Sequence, residues 1–76
     1  MKSFVQFHVY KGENQYVAQA TDLPIITQGK TLDEVAKNIR EAVELHLEGE
    51  DLAELDLEEK PRILINFEVA SERVHA

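Results

Sequence analysis

The run Thr31-Leu32-Asp33-Glu34-Val35-Ala36-Lys37-Asn38-Ile39-Arg40-Glu41-Ala42-Val43-Glu44-Leu45-His46-Leu47-Glu48-Gly49 decides the reading of this chain. It predicts an amphipathic helix with both ends marked. Thr31 and Glu34 fit a capping box, in which the threonine hydroxyl accepts from the third helical amide and the glutamate reaches back to the cap amide. Asp33 and Glu34 also place negative charge at the positive end of the helix dipole. Leu32, Val35, Ala36, Ile39, Ala42, Val43 and His46 recur at three- and four-residue spacing and form one stripe. Asp33/Lys37, Lys37/Glu41 and Arg40/Glu44 are spaced to pair on the remaining surface. Gly49 supplies the stop.

Upstream of the helix, Ser3 to Tyr10 alternates with period two. Ser3, Val5, Phe7 and Val9 share one face of a strand, and Phe4, Gln6, His8 and Tyr10 share the other. Lys11-Gly12-Glu13-Asn14 reads as a hairpin loop because Gly and Asn tolerate positive φ. Gln15 to Thr21 is the returning strand, and its small Ala18 and Ala20 leave the inward face undecided. Asp22-Leu23-Pro24 breaks the pairing, since proline has no N–H and fixes its own φ. Ile25 to Gln28 then forms a brief third strand, with Gly29 turning the chain into the helix.

Downstream, Glu50 to Lys60 is acidic with Leu52, Leu55 and Leu57 interspersed, and reads as a helical turn or an ordered loop ended by Pro61. Arg62 to Val69 is a last strand, with Ile63, Ile65, Phe67 and Val69 on one face and Leu64, Asn66 and Glu68 on the other. Residues 70–76 read as a flexible tail. The expected fold is α+β, a single domain over residues 1–76 in the order β-β-β-α-β. Three antiparallel strands are joined by a fourth lying parallel to the first across a helical crossover. One helix covers one sheet face, above Val5, Phe7, Val9, Ile63, Ile65, Phe67 and Val69. The opposite face keeps Phe4, Tyr10 and Leu64, which the leucines of the acidic segment or a second subunit would cover. Those three residues are therefore the expected interface of a homodimer.

Composition narrows the function classes. A domain of 76 residues buries only about 60% of its unfolded surface, and oligomerisation is a common remedy for the resulting marginal stability. The chain has no cysteine, which excludes disulfides and thiolate metal sites. Asp and Glu outnumber Lys and Arg by 15 to 8, for a net charge of −7. That balance repels phosphate backbones and suits a basic partner, so direct nucleic-acid binding is not expected. The opening Met1-Lys2-Ser3-Phe4 lacks the apolar core of a signal peptide, and no apolar run reaches membrane-span length, so the expected address is cytoplasmic.

The chemistry-bearing residues do not assemble into a catalytic pattern. His8, His46 and His75 fall on a strand, a helix and the tail, without the spacing of a helical metal site. His46 lies on the apolar stripe, where a half-buried boundary histidine is the commoner outcome than a ligand or base. Gly12, Gly29 and Gly49 are too far apart to cradle a phosphate, and no nucleophile motif surrounds the serines or threonines. Asp22, at a strand end, reads as a turn residue capping local amides rather than a magnesium ligand. The expectation is no enzyme, no metal and no cofactor. The acidic run Glu48, Glu50, Asp51, Glu54, Asp56, Glu58 and Glu59 reads as a solvated face or, with its leucines, as a docking surface.

Several of these pieces together resemble the amino-terminal domain of HicB antitoxins. They are Tyr16-Val17-Ala18, Asp22-Leu23-Pro24, Thr27-Gln28-Gly29, Thr31-Leu32-Asp33-Glu34-Val35 and Asn38-Ile39-Arg40-Glu41-Ala42-Val43-Glu44-Leu45, within a span of about residues 4–48. The resemblance implies a truncated ribonuclease-H-like fold without nuclease activity. It implies a module that masks a small basic messenger-RNA-cleaving toxin of HicA type, assembled as a dimer or tetramer. Two departures stand out. Ile25 and Ile26 replace the family's usual Gly and Cys, and two β-branched residues favour a continuous strand over a turn. Nothing after Val69 reads as a DNA-binding domain, so autorepression is not expected of this chain. Glu48, Glu50, Asp51 and Glu54, with Leu52 and Leu55 as apolar anchors, are the expected partner-binding residues. A homo-oligomeric scaffold without a toxin and a metal-dependent nuclease remnant built on Asp22 are the alternatives.

Overall fold

The computed structural model describes residues 2–51, 54, 57–69 and 71. Five elements follow one another: β1 (Lys2–Lys11), β2 (Tyr16–Ala20), β3 (Ile26–Gly29), α1 (Leu32–Leu47) and β4 (Leu57–Phe67). They form the expected α+β arrangement, a four-stranded mixed sheet in the order β3-β2-β1-β4 with one helix. β1–β2 and β2–β3 are antiparallel, and β1–β4 is parallel. The helix and its flanking loops thus carry the chain from one edge strand, β3, to the other, β4.

Register settles the face that Ala18 and Ala20 left open. Phe7 pairs with Ala20 and Val9 with Ala18. Paired residues on adjacent strands share a face, so both alanines lie under the helix, where they are buried. The core joins Val5, Phe7 and Val9 of β1 to Ala18, Ala20, Ile25 and Leu57, beneath Val35, Ile39 and Val43 of α1. Phe7 and Ile39 are fully buried, each contributing roughly 1.5–3 kcal/mol through its side chain. Leu32, placed by periodicity on the helix stripe, is instead exposed, because it occupies the first helical position, ahead of the first buried turn.

Small residues let α1 settle on one half of the sheet. α1 packs chiefly over β3 and β2, where Ala18 pairs with Thr27 and Tyr16 with Gly29. A Cβ on Gly29 would lie 2.8 Å from the Val35 backbone nitrogen and 2.9 Å from its Cγ2. Gly29 is therefore required by close approach of the helix rather than by a turn. Two polar contacts fix the same junction: the Asn38 side chain donates to the Gln28 carbonyl at 2.7 Å, and Thr31 Oγ1 accepts from the Glu34 amide at 3.1 Å. The Glu34 carboxylate accepts from the Lys30 amide at 3.3 Å, one residue before the cap amide of a standard capping box. At the other end Gly49 takes φ +75°, the left-handed conformation that ends many helices.

Three sequence boundaries shift. Ile25 belongs to the corner and not to β3: its amide donates to Leu23 O at 2.8 Å across Pro24, and its carbonyl accepts from Ala20 at 2.9 Å. Its side chain is buried while that of Ile26 projects from the opposite side of the sheet. Two adjacent isoleucines thus divide between core and surface. β4 begins at Leu57, not Arg62, because Leu57 pairs with Lys2 before the register shifts and resumes at Phe4–Arg62. Pro61, expected to end the acidic segment, lies within this irregularity, where a missing ladder donor is tolerated on an edge strand. β4 ends at Phe67, leaving Val69 exposed beyond the strand. The proposed tail, Ser71 apart, lies outside the described residues.

Gly29→Ala is expected to cost about 1–3 kcal/mol through overpacking, and Thr31→Ala about 1 kcal/mol through the lost cap. Urea denaturation followed by circular dichroism checks both values and their order.

Candidate functional site

The helix does not reach across the whole sheet, and a groove opens where it stops. One wall is the exposed side of the carboxy-terminal half of α1, with Glu41, Glu44 and Glu48 interleaved with Val43, Leu45 and Leu47. The other wall is Lys60, Pro61 and Ile63 of β4, and Arg40 stands at the helix side. The cleft encloses about 780 Å³. Its lining combines Val43, Leu45, Leu47, Pro61 and Ile63 with three carboxylates and two cations. Leu45 is 71% exposed, because it lies two residues beyond buried Val43 and so on the opposite side of the helix.

The apolar surface continues along β4. Val5, Phe7 and Val9 pair with Ile63, Ile65 and Phe67, so these β4 residues share the helix-side face. The sequence pattern placed them under the helix together with the β1 residues. Ile63 is only half-buried, while Ile65 and Phe67 are 39% and 41% exposed. The physical reason is width: one helix seated on β2 and β3 leaves the fourth strand uncovered. Phe67 packs against the Tyr16 ring at a centroid distance of 5.6 Å.

Among the expected partner-binding residues, Glu48 lines the groove, and Glu50, Asp51 and Glu54 are exposed in the segment that follows the helix. Leu52 and Leu55 lie outside the described residues. The third leucine of that segment, Leu57, is buried in the core and does not belong to a docking surface. Sequence reasoning missed Glu41, Glu44, Leu45 and Leu47 as groove residues. The signal was partial: Leu45 falls on the side of the helix away from the buried stripe, while Leu47 flanks the stripe and packs against the core.

The expected interface residues Phe4, Tyr10 and Leu64 do share the sheet face away from the helix. Phe4 is 48% exposed, Leu64 45%, and Tyr10 is half-buried. Phe4 pairs with Arg62 and Gln6 with Leu64, which sets Phe4 and Leu64 diagonally adjacent. Tyr10 stands six residues along β1, about 20 Å away, next to His8 at a ring distance of 6.0 Å. Between them on β1 and β4 the face carries Gln6, His8, Asn66 and Glu68, and Ile26 of β3, 68% exposed, adds an apolar residue on the same face in the row of His8 and Gln19.

The histidines follow the packing. His46 is half-buried at the margin of the stripe. His8 Nε2 lies 2.9 Å from Glu68 Oε2, and the Glu68 amide donates to Val9 O at 2.8 Å. Together these contacts fasten the end of β4 to β1. Asp22 is exposed at the β2–β3 corner, and among the described residues no three His, Asp or Glu side chains converge as a metal site. No described helix is long and apolar enough to cross a membrane.

Leu45→Ser should change unfolding free energy by no more than about 0.5 kcal/mol, whereas Ile39→Ala should cost about 2–5 kcal/mol. Chemical denaturation of the two variants distinguishes a groove residue from a core residue on the same helix.

No family model, curated protein or solved structure matches the chain.

Proposed function

We propose that the protein is a binding module of the HicB antitoxin type, which neutralises a small basic RNA-cleaving toxin of HicA type by covering its active surface. The observation that carries the reading is the groove between α1 and β4, lined by apolar Val43, Leu45, Leu47 and Ile63 together with Glu41, Glu44 and Glu48. An amphipathic basic segment matches both features: apolar anchors meet the apolar lining, and lysines or arginines meet the carboxylates. The exposed Glu50, Asp51 and Glu54 extend the negative charge past the helix end. With a net charge of −7, long-range attraction would speed encounter, while desolvated apolar contacts would set the dissociation rate.

The strand order and the Asn38–Gln28 and Thr31–Glu34 contacts explain why the segment resembling the family folds as it does. The resemblance therefore supports the scaffold, and the groove supports the binding role. A homo-oligomeric scaffold without a toxin is the second reading, favoured by the uncovered Ile65 and Phe67.

Co-expression with a small basic toxin of this type should rescue growth and yield a stable complex. Glu44→Lys combined with Glu48→Lys should slow association by about tenfold or more at low salt, with a smaller loss at high salt. Surface plasmon resonance at two ionic strengths reads both. Association unaffected by the double charge reversal would remove the groove from the interface.

A further inference from the structure

Among the described residues β4 is an edge strand, and its middle is unguarded. Natural edges are blunted by charge, proline or bulges, and here those devices cluster at one end, in Lys60, Pro61 and Arg62. The following Ile63-Leu64-Ile65-Asn66-Phe67 carries no charge and no proline, and Leu64, Ile65 and Phe67 are all exposed. Such a segment pairs with another strand unless something specific occupies it.

Backbone direction fixes what that strand could be. Glu68 donates its amide to Val9 of β1. In a parallel ladder alternate residues point both backbone groups to the same side, so Leu64, Asn66 and Glu68 face β1. Ile63, Ile65 and Phe67 then present N–H and C=O to the open edge. A two-fold axis through Ile65 places these outward residues opposite one another: Ile65 faces its own copy, and Ile63 faces Phe67. On the other sheet face the same register sets Arg62 against Glu68, whose carboxylate His8 already holds at 2.9 Å. Moving the axis to Leu64 sets Arg62 against Asn66 and Pro61 against Phe67, and moving it to Asn66 sets Leu64 against Glu68. Only the Ile65 axis joins apolar to apolar on the helix side and opposite charges on the other.

We propose that the protein forms a two-fold homodimer by antiparallel pairing of β4 with β4 of a second copy, centred on Ile65, making one continuous eight-stranded sheet. This interface is the strand edge, not the Phe4–Tyr10–Leu64 face. It does not rest on toxin binding, and it leaves the helix wall of the groove open. The contact is isologous, so it closes on itself and covers the β4 edge of both copies.

The chain has no cysteine, so single cysteines report the register. Across a hydrogen-bonded antiparallel pair the Cα atoms are about 5.5 Å apart, within disulfide range. Ile65→Cys should therefore cross-link efficiently under mild oxidation. Leu64→Cys should not, since its own copy is displaced by about 7 Å along the strand. Sedimentation equilibrium at micromolar concentration should give a dimer mass for the unmodified chain. Ile65→Lys should weaken dimerisation by roughly 100-fold through like charges at the axis, with the circular dichroism spectrum retained. Arg62→Glu should weaken it, and adding Glu68→Lys should restore it. A monomer mass throughout overturns the proposal. So does a dimer that cross-links better through Leu64→Cys, or one dissolved by Phe4→Glu and not by Ile65→Lys.

Discussion

The close approach of α1 to the end of β3 is the constraint on which the rest of the molecule depends. Gly29 offers no Cβ, and Val35 occupies the space one would need. Asn38 and Thr31 then lock the helix to that side through the Gln28 carbonyl and the Glu34 amide. With Ala18 and Ala20 beneath it, the helix sits low over β2 and the adjoining strands. A helix is about 10–12 Å across with its side chains and strands are spaced by about 4.8 Å, so a single helix seated over β2 and β3 cannot also cover β4. The groove, the exposure of Ile65 and Phe67, and the open edge all follow from where the helix is fastened.

The elements of this fold were legible in the sequence because each has a local physical cause. Period-two alternation gives β1 and β4, the cap and stripe give α1, and a helical crossover after the hairpin strands gives parallel β1–β4 pairing. What was not legible depends on lateral position. Periodicity places Val9 and Phe67 on the same face, but cannot say that one is buried and the other exposed, because that depends on which strands the helix covers. Leu57 looked like its neighbouring leucines in an acidic run, yet pairing with Lys2 draws it into the core. Ile25 and Ile26 looked like continuous strand, yet a turn across Pro24 places Ile25 in the corner, and β3 begins only at Ile26.

The candidate site shows the same division. Glu48 was identifiable as part of an acidic surface, but Glu41, Glu44, Leu45 and Leu47 acquire their role only because β4 stands apart from α1. The outer sheet face, expected to be the apolar interface, mixes exposed Phe4, Leu64 and Ile26 with polar residues, while β4 leaves Ile65 and Phe67 uncovered on the helix side. The helix therefore serves twice: its amino-terminal turns, through Thr31, Val35 and Asn38, fasten the scaffold, and its carboxy-terminal half lines the groove that the fastened scaffold leaves open.

Amide hydrogen exchange along β4, read residue by residue at two protein concentrations, tests this account most directly. It predicts slow exchange at Leu64, Asn66 and Glu68 at both concentrations, because these amides face β1. It predicts fast exchange at Ile63, Ile65 and Phe67 in dilute solution and protection at high concentration. Equal, concentration-independent protection of all six amides would mean that β4 is covered within a single chain, and would contradict it.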